Sequence, residues 1–344
     1  MMTGVIGAGS FGTAIANLIA VNTDVLIFSR RADFVDEVNT RSQVNGVKLL
    51  PRVRATSDPE EMARLCTLIF PIVPSNTFRE VMQRFGPFLR PHHIVIHGTK
   101  GLDLRGYTEE DLLKKDISLS RQEVRTMSEV VLEETSVVRV GCLSGPNLAA
   151  EIVSGQPAAT LIGSSYREVI QAGQTALNSK LFHVFGSYDM LGAELAGALK
   201  NIVALGSGIL GGLGMGRNIQ GLLIAKGLGE MVHFGTALGA SSQAFVGVAG
   251  IGDLVATATS PNSRNYSFGV LLAKGGTVEE IRKTMPELAE GVRTLRIAHA
   301  LAKHYKLHVP ITDMLYAVVF ESLPVERALD YLMAYPYAVD VDYL

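Results

Sequence analysis

Short apolar runs alternate with amphipathic segments through the first half of the chain. Residues 3–6, 24–28, 65–73, 93–98, 137–143, 158–163 and 181–185 read as strands, and 11–20 as a helix rich in small residues. Strand, helix, strand at this spacing predicts a parallel sheet covered on both faces. Residues 108–134 are charged and periodic enough to predict a further helix. Near Asp189 the pattern changes, and helical periodicity dominates over 190–210, 218–238, 264–274, 292–303 and 311–320. The expected organisation is an α/β domain with a parallel sheet over residues 1–188, followed by an all-α domain over 189–344. Fourteen glycines fall between Gly206 and Gly252. They suit close helix packing or backbone brought near a ligand, and both readings stand at this point.

Composition narrows the function classes. The 344 residues carry 31 Lys+Arg against 33 Asp+Glu, a formal charge of -2, with no block of one sign. A nucleic-acid partner is therefore not expected. Hydrophobic residues make up 47% and charged ones 19%, which suits a well-buried globule. Cys66 and Cys142 both sit in apolar runs, so neither a disulfide framework nor a metal site is expected. The chain opens without a basic segment, and no uncharged apolar stretch of about 18 residues runs without glycine or polar interruption. The expectation is a cytoplasmic protein with no membrane span.

Gly7, Gly9 and Gly12 form G-A-G-S-F-G directly between the first strand and the first helix. In that context the first glycine makes a tight turn and the second admits a pyrophosphate. The third lets helix and strand pack closely, and the helix N-terminus faces the anion. This predicts a Rossmann-type dinucleotide site. An acid commonly stands about 20 residues past the glycines where NAD is bound. Here Ser29, Arg30 and Arg31 occupy the end of the second strand. Two guanidiniums suit a 2′-phosphate, so NADP(H) is favoured with NAD(H) as the alternative; a pair of solvated arginines is the plainer reading.

Candidate chemistry lies in the second half. The span 191–210 is almost wholly apolar or glycine, and Glu194, Lys200, Asn201 and Ser207 are its exceptions. A buried lysine needs a partner or a task. An ammonium can stabilise and protonate the alkoxide formed when hydride reaches a carbonyl, or the side chain can simply snorkel to solvent. Asp253, in G-I-G-D-L, can hold that lysine or cap a helix. Ser263, Arg264 and Asn265 stand at a helix start, a place that binds anions or merely caps. In the first domain Lys100, and the turn Gly145-Pro146-Asn147, follow predicted strands at the carboxyl ends where α/β sheets bind ligands.

Together these residues resemble the bacterial NAD(P)-dependent glycerol-3-phosphate dehydrogenase family along almost the whole chain. The resemblance rests on G-A-G-S-F-G-T-A from Gly7, F-S-R from Phe28, V-P-S from Val73, T-K-G from Thr99 and S-G-P-N from Ser144. It continues through E-L-A-G-A-L-K-N-I-V-A from Glu194, G-V-A-G-I-G-D-L from Gly247, S-R-N from Ser263 and E-G-V-R-T from Glu290. It implies reduction of dihydroxyacetone phosphate to sn-glycerol 3-phosphate for phospholipid synthesis, with Lys200 as proton donor. It also implies substrate contacts from Lys100, Gly145, Asn147, Asp253, Ser263, Arg264 and Asn265. Implied cofactor contacts are Ser10, Phe11, Arg30, Lys100, Ala149, Arg264 and Glu290. Family members usually carry Ser where Asn147 stands and often Trp where Phe28 stands. The alternatives are a β-hydroxy acid dehydrogenase of related architecture and a dinucleotide sensor without chemistry. A homodimer is a further expectation, and the tyrosine-containing tail after Leu332 has no derivable role.

Overall fold

The computed structural model describes residues 2–44, 46–108, 110–114, 117–285, 289–334 and 340. Most of the tail, with Tyr335, Tyr337 and Tyr343, lies outside the described residues. The chain divides into two compact units, one of residues 1–103 with 126–190, the other of 104–125 with 191–344. The first domain expected over 1–188 therefore lacks a stretch: the chain leaves the first unit after Asp103 and returns at Thr126. Arg79 pins the exit, with Nη2 2.7 Å from Asp103 Oδ2 and 2.8 Å from Glu133 Oε2, and a further pairing to Glu134.

The first unit is built on eight strands: β1 Met2–Ile6, β2 Val25–Phe28, β3 Val53–Thr56, β4 Cys66–Pro71, β5 Ile94–His97, β6 Arg139–Ser144, β7 Ala158–Gly163 and β8 Phe182–Ser187. Their order in the sheet is β8-β7-β6-β5-β4-β1-β2-β3. The pattern of neighbouring residues explains the two covered faces. Val5, Phe70 and Ile96 enter one core cluster, while Ile6, Ile69 and Val95 enter the other, as alternating strand side chains must. The order reverses between β1 and β4, a switch point where α/β sheets bind ligands.

Three sequence expectations differ from the structure. Strand β3 has no counterpart among the predicted strands, because V-R-A-T is short and half polar; it pairs in parallel with β2 at the sheet edge. Strand β7 runs antiparallel to β6, with Cys142 opposite Gly163, whereas the sequence implies parallel pairing throughout. The intervening connection holds only the five-residue helix Ala149–Val153, which does not provide the usual crossover. Among the described residues the α-helix expected over 108–134 is confined to Met127–Glu134, which a Thr126/Glu129 capping box begins. Upstream, Asp111 accepts from the Thr108 N–H and hydroxyl, and Glu123 accepts from those of Ser120. These local bonds close turns, with a single 3-10 turn at Asp111–Leu113, instead of an α-helix.

The second unit is helical, and its longest element is Met190–Gly212. By length and composition that helix could cross a membrane, yet 89% of its apolar window is buried inside the protein. A helix apolar on all sides belongs in a core. The glycines serve this packing: a Cβ on Gly208 would lie 2.0 Å from the Tyr266 carbonyl, and one on Gly269 2.1 Å from that of Leu205. The helices Met190–Gly212 and Arg264–Ala273 thus touch backbone to backbone. No group of three or more His, Cys, Asp or Glu that could hold a metal occurs among the described residues.

Glu230 ties two helices of this unit. Its carboxylate accepts from the Ile311 N–H at 2.6 Å, the Thr312 N–H at 3.0 Å and the Thr312 hydroxyl at 2.7 Å, so it caps Pro310–Phe320 from a neighbouring helix. Burial nonetheless outweighs these bonds and raises its pKa to about 7, with Asp313 adding to the rise. A raised folded-state value means the contribution to stability is complete below the unfolded value and disappears as pH rises through 7. The unfolding free energy of wild type should therefore fall between about pH 4.5 and 7 relative to Glu230→Gln, by an amount on the order of 3 kcal/mol. Denaturant titrations at a series of pH values read the difference. Parallel pH profiles for the two proteins would show that Glu230 does not titrate in this window.

Candidate active site

In the first unit the glycine loop lies where the motif demands. Gly7 has φ +130°, and an added Cβ would stand 2.0 Å from the Ile72 carbonyl oxygen. A Cβ on Gly12 would meet the Gly7 oxygen at 2.2 Å. The helix Ser10–Ala20 starts from Gly9, which offers no side-chain cap. Its N-terminus therefore presents backbone donors and the positive end of the helix dipole to this turn. The cradle fits a pyrophosphate: bare backbone approaches, and any larger residue would fill it. Gly7→Ala should lower dinucleotide affinity at least tenfold and destabilise the unit by about 1–3 kcal/mol. Fluorescence titration with the reduced dinucleotide reads the first effect, and unchanged affinity would count against this loop as the phosphate site.

The other expected residues of the first unit gather at the same carboxyl ends. Gly98, after β5, would bring a Cβ within 3.3 Å of the Phe11 ring. Lys100 follows, and its Nζ donates to the Gly145 carbonyl at 2.7 Å. Gly145 has φ +151° and packs against Thr160. Asn147 is occupied structurally: its amide donates to the Ala159 carbonyl at 3.1 Å and accepts from the Thr160 hydroxyl at 2.8 Å. It staples the loop to β7, so a substrate contact through it competes with two bonds already made. Ala149 begins the short helix after this loop. Arg30 and Arg31 follow β2 with side chains 60% and 58% exposed, loosely paired to Glu80 and Asp33. They can turn to a phosphate at little cost, since exposed ion pairs are weak. Phe28 is buried edge-on against Phe85, as core packing.

The second unit holds the chemical cluster. Lys200 is 5% exposed, and its Nζ lies 2.5 Å from Asp253 Oδ1 and 2.5 Å from the Thr257 hydroxyl. Thr257 also bonds Asp253 Oδ1 at 3.2 Å. The lysine is therefore paired rather than snorkelling. Asp253 is the first residue of the helix Asp253–Ala258 behind the cap position Gly252, so it holds the lysine instead of serving as N-cap. One π-helical turn, Val248–Gly252, precedes it; glycine permits this turn, because a Cβ on Gly250 would stand 2.0 Å from the Phe245 oxygen.

Beside Lys200, Asn201 Oδ1 accepts from the Asn265 amide at 2.9 Å, and Asn265 Oδ1 accepts from the Gly291 N–H at 2.8 Å. These bonds bring the lysine, S-R-N and E-G-V-R-T blocks together in one cluster. Ser263 caps the helix Arg264–Ala273, accepting from the Tyr266 N–H, and Arg264 stands exposed at its first position. Glu290 begins the helix Glu290–Tyr305. Sequence reasoning does not single out Thr257. Its signal is nonetheless present, four residues after Asp253 and hence on the same helical face.

An eight-stranded, largely parallel sheet with a glycine-rich dinucleotide loop, joined to a helical unit with a buried lysine–aspartate pair, defines an NAD(P)-dependent dehydrogenase. The family model for the NAD-dependent glycerol-3-phosphate dehydrogenase N-terminus matches residues 2–170, and that for the C-terminus residues 189–330. The chain belongs to this family. It is 38% identical to the glycerol-3-phosphate dehydrogenase [NAD(P)+] of Acinetobacter baylyi, covering 99% of this chain and 92% of that protein. The enzyme of the same name from Azotobacter vinelandii is 36% identical, with 99% and 96% covered. Among solved structures, glycerol-3-phosphate dehydrogenase from Coxiella burnetii superimposes with a TM-score of 0.85 at 30% identity, covering 97% of this chain and 98% of that one.

Proposed function

We propose that this protein reduces dihydroxyacetone phosphate to sn-glycerol 3-phosphate with NADPH or NADH, reversibly, and so supplies glycerophospholipid synthesis. The observation that carries the reading is the buried Lys200–Asp253–Thr257 cluster in a member of this family. A bound nicotinamide dinucleotide supplies the hydride. As the carbonyl oxygen becomes an alkoxide, Lys200 Nζ stabilises it and then transfers a proton to it. Asp253 accepts from the ammonium and orients it, and Thr257 accepts in a second direction. In the oxidative direction the same amine takes the hydroxyl proton.

The remaining roles divide between recognition and support. Gly7, Gly9, Ser10, Phe11 and Gly12 cradle the pyrophosphate, Arg30 and Arg31 meet the adenosine ribose, and Ala149 and Glu290 complete the dinucleotide contacts. Lys100, Gly145, Asn147 and Ser263 contact the substrate, and Arg264, at a helix N-terminus, binds its phosphate. Asn265 spends its amide on Asn201 and Gly291 and braces the cluster. The two exposed arginines after β2 favour NADPH over NADH.

The test follows oxidation of NADPH, and separately NADH, with purified protein. Turnover of dihydroxyacetone phosphate, absent with unphosphorylated dihydroxyacetone, is the expected result. Turnover of a β-hydroxy acid only would overturn the assignment, and equal rates with both dinucleotides would remove the NADPH preference. Arg264→Ala should raise KM for the phosphorylated substrate about 10–100-fold with little change in kcat, the loss of one charge-assisted contact. An unaltered KM would place the phosphate elsewhere.

A further inference from the structure

Beside the arginines that follow β2 stands an acid from another element, Glu80. It belongs to the helix Ser75–Phe85, which follows β4. Its Oε1 lies 3.4 Å from Arg30 Nη1. One turn further on, Arg84 places its guanidinium 5.2 Å from the centre of the Phe28 ring, at the last residue of β2. Residues four apart share a helical face, so the Glu80–Arg84 face of this helix lies along the end of β2.

Folds that bind NAD commonly put an acid at this strand end, where its carboxylate meets the ribose hydroxyl and disfavours a 2′-phosphate. Here Ser29 follows the strand, and its hydroxyl accepts from the Arg31 N–H at 3.2 Å. The acid is missing from the strand, but Glu80 brings a carboxylate to Arg30 from the neighbouring helix. Asp33, paired with Arg31 at 3.6 Å, sits in the first turn of the helix Ala32–Arg41, where the helix dipole already suits an acid. The side chains of Arg30 and Glu80 are 60% and 70% exposed, so their pairing alone contributes little. A phosphate on Arg30 changes the balance. It carries a charge of about −2, and a carboxylate on the same guanidinium repels it more strongly than it would a neutral hydroxyl.

We propose that Glu80 is a specificity-determining residue: its carboxylate competes with the 2′-phosphate of NADPH for Arg30 and narrows the preference for NADPH over NADH that the arginines confer. The proposal rests on the assignment of Arg30 to the adenosine ribose made above.

Binding is read from the fluorescence of the reduced dinucleotide itself, with no turnover required. Glu80→Gln should tighten NADPH about 3–10-fold and change NADH by less than about twofold. Glu80→Lys, which adds a cation, should extend the gain for NADPH to about 10–100-fold. The NADPH/NADH affinity ratio should lose at least about half of its gain between about 0.02 and 0.5 M salt, because exposed charges are screened. Glu80 is exposed, so these substitutions leave the core intact. Arg30→Ala is the reference. If it weakens NADPH no more than NADH, the 2′-phosphate lies elsewhere, and both the assignment of Arg30 and this proposal fall. If it weakens NADPH selectively while Glu80→Gln keeps the affinity ratio of wild type, only the proposal falls. An equal gain for both dinucleotides, or a gain indifferent to salt, would overturn it as well.

Discussion

Lys200→Ala is expected to lower kcat by on the order of 10²–10⁴, the span that general acid–base groups contribute. Dinucleotide affinity should stay within a few-fold of wild type, because the role assigned to Lys200 is proton transfer to the substrate oxygen and the pyrophosphate is assigned to the glycine loop. A merely structural lysine would show a different pattern, with loss of folded protein and a proportional loss of binding. The truncation leaves Asp253 and Thr257 lining a space of ammonium size, so added methylamine should recover part of the rate. Recovery by the amine, and not by an equal ionic strength of sodium chloride, identifies the missing group as a proton donor. A rate within tenfold of wild type would remove Lys200 from the chemistry.

The second large effect concerns stability. Asp253 is 1% exposed and Lys200 5%, with 2.5 Å between their charged atoms. Removing the carboxylate alone, in Asp253→Ala, strands an ammonium in a low-dielectric interior. Breaking a buried pair in this way costs about 3–5 kcal/mol, whereas replacing both partners by apolar groups costs far less. Chemical denaturation should therefore show Asp253→Ala as strongly destabilised, and Lys200→Met/Asp253→Leu as closer to wild type though inactive. The non-additivity of the cycle measures the coupling of the two charges. Additive losses would mean that the pair is solvated or that each residue acts through other partners. Asp253→Asn separates orientation from charge: it keeps the shape, retains most of the folded protein and still lowers kcat.

Part of this molecule is legible in its amino-acid sequence. The glycine loop, the alternation of strands and helices, and the change of pattern near Asp189 are local properties. Gly12 is constrained by Gly7 at the same turn, and the positive φ of Gly7 is a property of that turn, although its contact with Ile72 comes from far along the chain; periodicity reflects which side of one element faces a core. Lys200 stands out because a cation in an apolar helix violates the composition around it. The lysine and S-R-N blocks also mark the family.

What only the tertiary structure decided are relations between distant positions. Whether Lys200 snorkels or pairs depends on Asp253 and Thr257, 53 and 57 residues away in the chain. The return of β7 against β6 and the 104–125 excursion depend on how segments pack once formed, which no window of local pattern contains. The motifs mark Asn147 and Asn265 without their protein partners, which are Ala159 and Thr160 for the first and Asn201 and Gly291 for the second. Glu230 looks like one more charge on a helix, and only its place against Ile311 and Thr312, 81 and 82 residues on, makes it a buried cap. Burial, partner and pKa are products of three-dimensional neighbours, while propensity, turn chemistry and periodicity are written along the chain.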